Sequence, residues 1–135
     1  MIPYDDLPGE SLIIQSHFQF YDDDGGLSGA SPRAPVDQTA AGGQNGVARV
    51  RIQIHTVGSL YDAVYAYSLE YRVSADGGTN WSDWPPVSGS SSGVQIVVSA
   101  HFADGDLITS PRLPMPPGAV GFVAGEGIET DRHTN

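Results

Sequence analysis

The sequence predicts an all-β chain: one antiparallel β-sandwich, Ig-like or jelly-roll-like, forming a single domain with long loops. Three features of the residues point there. Segments 47–56 and 63–73 alternate apolar and polar side chains with the period of two that marks a strand with one wet face. The 135 residues include 17 Gly and 10 Pro, a density of turn-formers that suits short strands and interrupts helix interiors. No helix of useful length emerges from the apolar spacing. The length gives room for one domain with its own core and not for two.

Taken in order, residues 1–10 are polar and acidic and carry Pro3 and Pro8, so they read as a flexible N-terminal arm. The domain is expected over 11–127. Residues 11–21, SLIIQSHFQFY, place Leu12, Ile14, Phe18 and Phe20 on one side of a half-buried strand, with Ile13 as the one irregularity. Residues 22–46 form a long loop of acidic and small residues, with a short edge strand near Ala34–Gln38; a loop of that length is a place for function or motion. In 47–56, Ala48, Val50, Ile52 and Ile54 are expected to face the core, and Arg49, Arg51, Gln53 and His55 the solvent. Residues 63–73 repeat the pattern with Tyr65, Tyr67, Leu69, Tyr71 and Val73. Asp76-Gly77-Gly78 supplies the positive φ angles of a tight hairpin. Residues 94–102 read as another strand, 107–113 as a short edge strand because of Pro111, and 119–124 as the last strand-like run. Residues 128–135 are a polar tail expected to fray.

Composition excludes several functions. Sixteen acidic residues stand against six basic ones, all Arg, for a formal net charge of −10. Nucleic-acid binding needs cationic charge to displace phosphate counterions, and anionic membranes likewise attract basic segments, so neither partner is expected. The absence of Cys removes disulfides, thiolate metal sites and thiol nucleophiles. No basic region precedes an apolar run at the N-terminus and no run approaches membrane-spanning length. The expectation is a chain that stays in the cytoplasm of the cell that makes it unless it leaves by lysis, by an unusual route or as part of a particle.

Three motifs could carry chemistry. Asp22 and Asp24, in the run Asp22-Asp23-Asp24-Gly25-Gly26, could offer carboxylate oxygens to calcium, the one cofactor the residues admit. The EF-hand spacing is not met, and such aspartates also cap turns by bonding local amides. The run Ser74-x-Asp76-x-Gly78-x-Asn80-Trp81 resembles the Asp-box of sialidase propellers, where the motif staples a hairpin and takes no part in catalysis; Asn80 stands where Thr is usual. Trp81-Ser82-Asp83-Trp84 is similar to the WSxWS box of cytokine receptors but has Pro85 in place of the last Ser and no receptor cysteines. Trp81 and Trp84 could instead stack against a sugar, or simply pack the hairpin. His17, His55, His101 and His133 have no zinc spacing, and no nucleophile elbow is present, so no catalytic residue is assigned and the chain is not expected to be an enzyme.

A longer resemblance runs through the chain. Its pieces are Gln15 to Gly25, Val47 to Ile54, Tyr67 to Arg72, a Gly-Gly hairpin followed by Trp81, and Val94 to Ala100. Phe102 to Asp106 leading to Arg112-Leu113, and Phe122 to Glu126, complete it. Their order resembles a family of β-sandwich modules in tailed-phage structural proteins and large bacterial surface proteins. Segments 57–63 and 74–85 are longer here than in that pattern. Such modules commonly continue past the Gly-Glu segment into a final strand. The resemblance implies a sandwich on a virion or cell surface with no catalytic residues to carry over. The expected role is a virion structural protein assembled in the host cytoplasm, a capsid decoration or accessory protein. The alternative is a host-receptor or glycan-binding module of a tail fibre or bacterial surface protein. Partners would be other virion proteins, such as the major capsid or tail protein, or further copies of the chain. Contact residues are expected at the termini: Tyr4, Asp5 and Asp6 in the arm, and Glu126 and Arg132 toward the tail.

Overall fold

The computed structural model describes residues 11–42, 46–58, 66–67, 69–117, 121–122, 125–128 and 133–134. These residues contain no helix, and their strands pair antiparallel, so the chain is all-β in character. Strand β1 (Ser11–Tyr21) pairs with β2 (Arg49–Gly58). Short strands β3 (Ala66–Tyr67) and β6 (His133–Thr134) pair with each other, as do β4 (Leu107–Ile108) and β5 (Gly125–Glu126). The result is three two-stranded sheets, and no contact between separate sheets occurs among the described strands.

The β1–β2 ribbon follows from its alternating β-branched and aromatic residues. Its register sets Phe18 opposite Ile52, Gln19 opposite Arg51, Phe20 opposite Val50 and Tyr21 opposite Arg49. A bulge between Gln15 and His17 changes the expected faces. Cross-strand partners share a face, and one extra residue reverses the alternation beyond it. Ile14 therefore pairs with His55 and lies on the side opposite Phe18 and Phe20, where simple alternation had grouped all three.

The covered face is also the reverse of the one expected. Gln19 and Tyr21 are 7% and 3% exposed, whereas Val50 and Ile52 are each 37% exposed and Ile54 is 42% exposed. The polar face is buried because it is hydrogen-bonded. The Tyr21 hydroxyl donates to Gln19 Oε1, and Gln19 Nε2 donates to the Ala34 carbonyl. Burying such groups is tolerable only when they are paired in this way. Ala30, Ala34 and Leu113 are buried as well, and Arg51 and Arg112 stack their guanidinium groups over the Tyr21 ring. Burial pushes Arg51 below the usual arginine range.

No edge strand forms at Ala34–Gln38. The loop instead straps the outer edge of β1. Asp22 N–H donates to Ser31 O, Arg33 N–H to Phe20 O and Asp37 N–H to Phe18 O. Pro35 has no N–H to give a ladder, and Asp37 takes a left-handed φ of 61°. Its carboxylate accepts from Phe18 N–H and contacts His17 Nδ1 at 2.6 Å.

The strand expected over 63–73 is also broken. Residues 61–65 and 68 lie outside the described set, and the described residues from 69 to 73 make one bridge, Glu70 to Pro86. Tyr71 N–H donates to Pro85 O and Val87 N–H to Leu69 O, so the two arms of a hairpin do run side by side. Pro85, opposite Tyr71, cannot return a hydrogen bond, which leaves that ladder half made. Segment 94–102 is largely exposed, Val98 to 80%, and among the described residues its one β-bridge is Ser88–Gln95. Apolar alternation there finds no partner strand among the described residues. The expected strand at 107–113 shortens to β4, and the expected run at 119–124 falls mostly outside the described residues. At the C-terminus, where a fraying tail was expected, His133 and Thr134 pair with Tyr67 and Ala66.

Candidate functional site

The hairpin at 69–87 carries the most exposed aromatic group among the described residues. Its turn is built as the Asp-box resemblance implies. Asp76 Oδ1 accepts from the N–H groups of Thr79 and Asn80 and from the Ser74 hydroxyl, and Oδ2 accepts from Asn80 Nδ2. The Asn80 backbone N–H, the Asn80 side chain and Ser74 together hold the Asp76 carboxyl far below the usual carboxylate range. Gly77 and Gly78 take φ values of 71° and 95°, which explains glycine at both positions. The Trp81 indole N–H then closes on the Gly78 carbonyl at 3.0 Å.

Trp81 and Trp84 are 49% and 57% exposed. The Arg72 guanidinium lies 4.5 Å from the centroid of each ring. A cation held over two indole faces is an attractive arrangement, and it fixes the rings relative to each other. Sequence reading singled out the two tryptophans but missed Arg72. The hairpin brings it there: continuing the Glu70–Pro86 register sets Arg72 opposite Trp84. The Trp–Arg–Trp group presents flat apolar surface beside a guanidinium, a surface suited to stacking on a sugar ring and donating to its oxygens.

The acidic loop spends its carboxylates on the protein. Asp22 Oδ1 accepts from Arg33 Nε at 2.6 Å. Asp23 Oδ1 accepts from Arg49 Nε and from the Ser99 hydroxyl, both at 2.7 Å. Asp24 Oδ1 accepts from Ser31 N–H at 2.8 Å. Burial pushes the Asp23 carboxyl up, but Ser99 and Arg49 outweigh it, and the group sits below its ordinary range. Asp24 is lowered by its bonds to Ser31. Asp22 and Asp24, the calcium candidates, thus cap an arginine and a turn amide, and no group of three or more His, Cys, Asp or Glu side chains able to hold a metal occurs among the described residues.

Arg49 ties this loop to the rest of the chain. It also donates to Gly26 O and sits 4.9 Å from the centroid of Phe102. Beside it, Leu27, Ser28, His101, Phe102, Leu107 and Thr109 line an open, shallow cleft.

Of the expected contact residues, Glu126 lies in β5 opposite Leu107, with its backbone in that ladder. Tyr4, Asp5, Asp6 and Arg132 lie outside the described residues. No helix among the described residues is long and apolar enough to cross a membrane. Comparison with protein-family models, curated proteins and solved structures found no match for this chain.

Proposed function

We propose that the chain is a structural protein of a tailed-phage virion, a capsid decoration or accessory protein that attaches to the particle surface as a β-sandwich module. The observation that carries this reading is the ordered series of segments from Gln15 to Glu126 that resembles such modules. Two features of the structure agree with a role in attachment. The 22–38 loop is fastened to β1 by backbone and carboxylate bonds, which gives a rigid rim. Loops held on a scaffold in this way are common binding surfaces. The net charge of −10 suits a partner surface rich in Arg or Lys, such as a region of the major capsid or tail protein. Mass spectrometry of purified particles is the test. The chain should appear in many copies per particle, and its absence would overturn the reading.

The Trp81–Arg72–Trp84 group favours a second reading, a glycan or host-receptor module. A glycan array probed with the full chain distinguishes the two. Binding that is lost with Trp84→Ala while particle attachment persists would support the second role; an empty array would remove it.

A further inference from the structure

The two edges of the β1–β2 ribbon are unlike. Phe18 and Phe20 accept hydrogen bonds at their carbonyls from Asp37 and Arg33, and Phe18 N–H donates to the Asp37 carboxylate. Their backbone groups therefore point away from β2. Antiparallel pairs alternate between bonded and non-bonded, so Phe18–Ile52 and Phe20–Val50 are the non-bonded pairs. Val50 and Ile52 must then direct their own N–H and C=O groups away from β1, and Ile54, two residues on, does the same. Among the described residues nothing meets these groups.

Among the described residues this edge lacks the usual guards. β2 has no proline and no bulge, and Val50, Ile52 and Ile54 are each more than a third exposed. The intervening arginines do not protect it, because Arg49 is turned to Asp23 and Arg51 to the Leu27 carbonyl.

We propose that β2 pairs antiparallel with β2 of a second copy of the chain, across a twofold axis at Ile52. The pattern of the strand selects that partner and that register. With Ile52 opposite Ile52 of the second copy, Val50 meets Ile54, and every outward backbone group of these residues finds a complement. Arg51 then lies opposite Gln53 and Arg49 opposite His55. Sliding the axis to Val50 would set Arg49 against Arg51 and waste Ile54, and like charges opposite each other destabilise a sheet. The contact is isologous, as twofold dimers require. It joins two ribbons into one four-stranded sheet with a continuous apolar strip of Phe18, Phe20, Val50, Ile52 and Ile54 from each copy. The inference concerns the free chain and does not depend on attachment to a particle.

Sedimentation equilibrium of the full chain over a hundredfold range of concentration tests it. The wild type should move from monomer to dimer as concentration rises. Ile52→Pro removes an N–H that β1 does not use, so it should keep the far-ultraviolet circular dichroism of the wild type and weaken dimerisation at least tenfold. Ile52→Cys in this otherwise Cys-free chain should give a covalent dimer on oxidation, and Arg51→Cys far less. A wild type that stays monomeric throughout would overturn the proposal. So would a dimer that forms equally well with Ile52→Pro, or equal cross-linking at positions 51 and 52.

Discussion

Asp76 is the residue on which the hairpin turn depends, since its carboxylate gathers donors from Ser74, Thr79 and Asn80. Its pH dependence has a definite sign. The folded chain holds this carboxyl below the unfolded value of about 3.9, so the stabilisation is complete above that pH and is lost as pH falls toward the folded value. Asp76→Asn should lower the melting temperature at neutral pH, and the gap from wild type should close below about pH 4. Thermal melts of both proteins across that range check it; a gap that persists unchanged at pH 2 would contradict this role. Asp23 presents a different case, because it shields a guanidinium. Arg49 and Asp23 have side-chain exposures of only 13% and 19%. Asp23→Ala takes from Arg49 Nε and the Ser99 hydroxyl the carboxylate they share, at an expected cost of about 2 kcal/mol. Denaturant titration reads that loss directly.

At the scale of elements, the β4–β5 pair is held closely against the loop layer. Gly127 follows β5; its N–H donates to Asp106 O, and its carbonyl accepts from Gly105 N–H. A Cβ there would come within 2.6 Å of the Phe102 ring and 3.1 Å of Leu27. Phe102 cannot yield without disturbing its contact with Arg49, so Gly127→Ala should cost roughly 1–3 kcal/mol of stability. Equilibrium unfolding in urea measures it, and a neutral result would show that the ring moves freely. Local periodicity made β1 and β2 legible in the sequence to within two residues at most at either end. The turn at Asp76 was legible too, because its geometry is written in neighbouring residues. What stayed hidden depends on distant partners. Alternation at 63–73 could not reveal that Pro85 and Pro86 would face it without donors. Nor could it reveal the bulge near Ser16, or the arginines from β2 and Arg112 that make the polar face the covered one. Arg72 was missed for the same reason: its role exists only across the hairpin.

For the whole molecule, the decisive quantity is where its few positive charges go. Arg33 and Arg49 pair with Asp22 and Asp23, Arg51 and Arg112 bond carbonyls and cover Tyr21, and Arg72 lies over the tryptophans. The described arginines are thus engaged inside the chain, while the net charge stays at −10. The basic partner proposed for such a surface would be held by an attraction that salt screens over a distance of about 8 Å at physiological strength. The proposed attachment to a particle should therefore weaken steadily between 50 mM and 1 M NaCl, seen as release of the chain in a pelleting assay. Retention unaffected by salt would point to an apolar contact in place of a charged one.

The strap of residues 31–37 along β1 also sets how many neighbours the ribbon can accept. A sheet with two receptive margins adds strands without limit and grows into a fibre. One whose far margin is already occupied has a valence of one, and its growth ends when the other margin is filled. Opening the strap, for example by Asp37→Pro, would give the chain a second receptive margin and turn a finite pair into a filament-forming species.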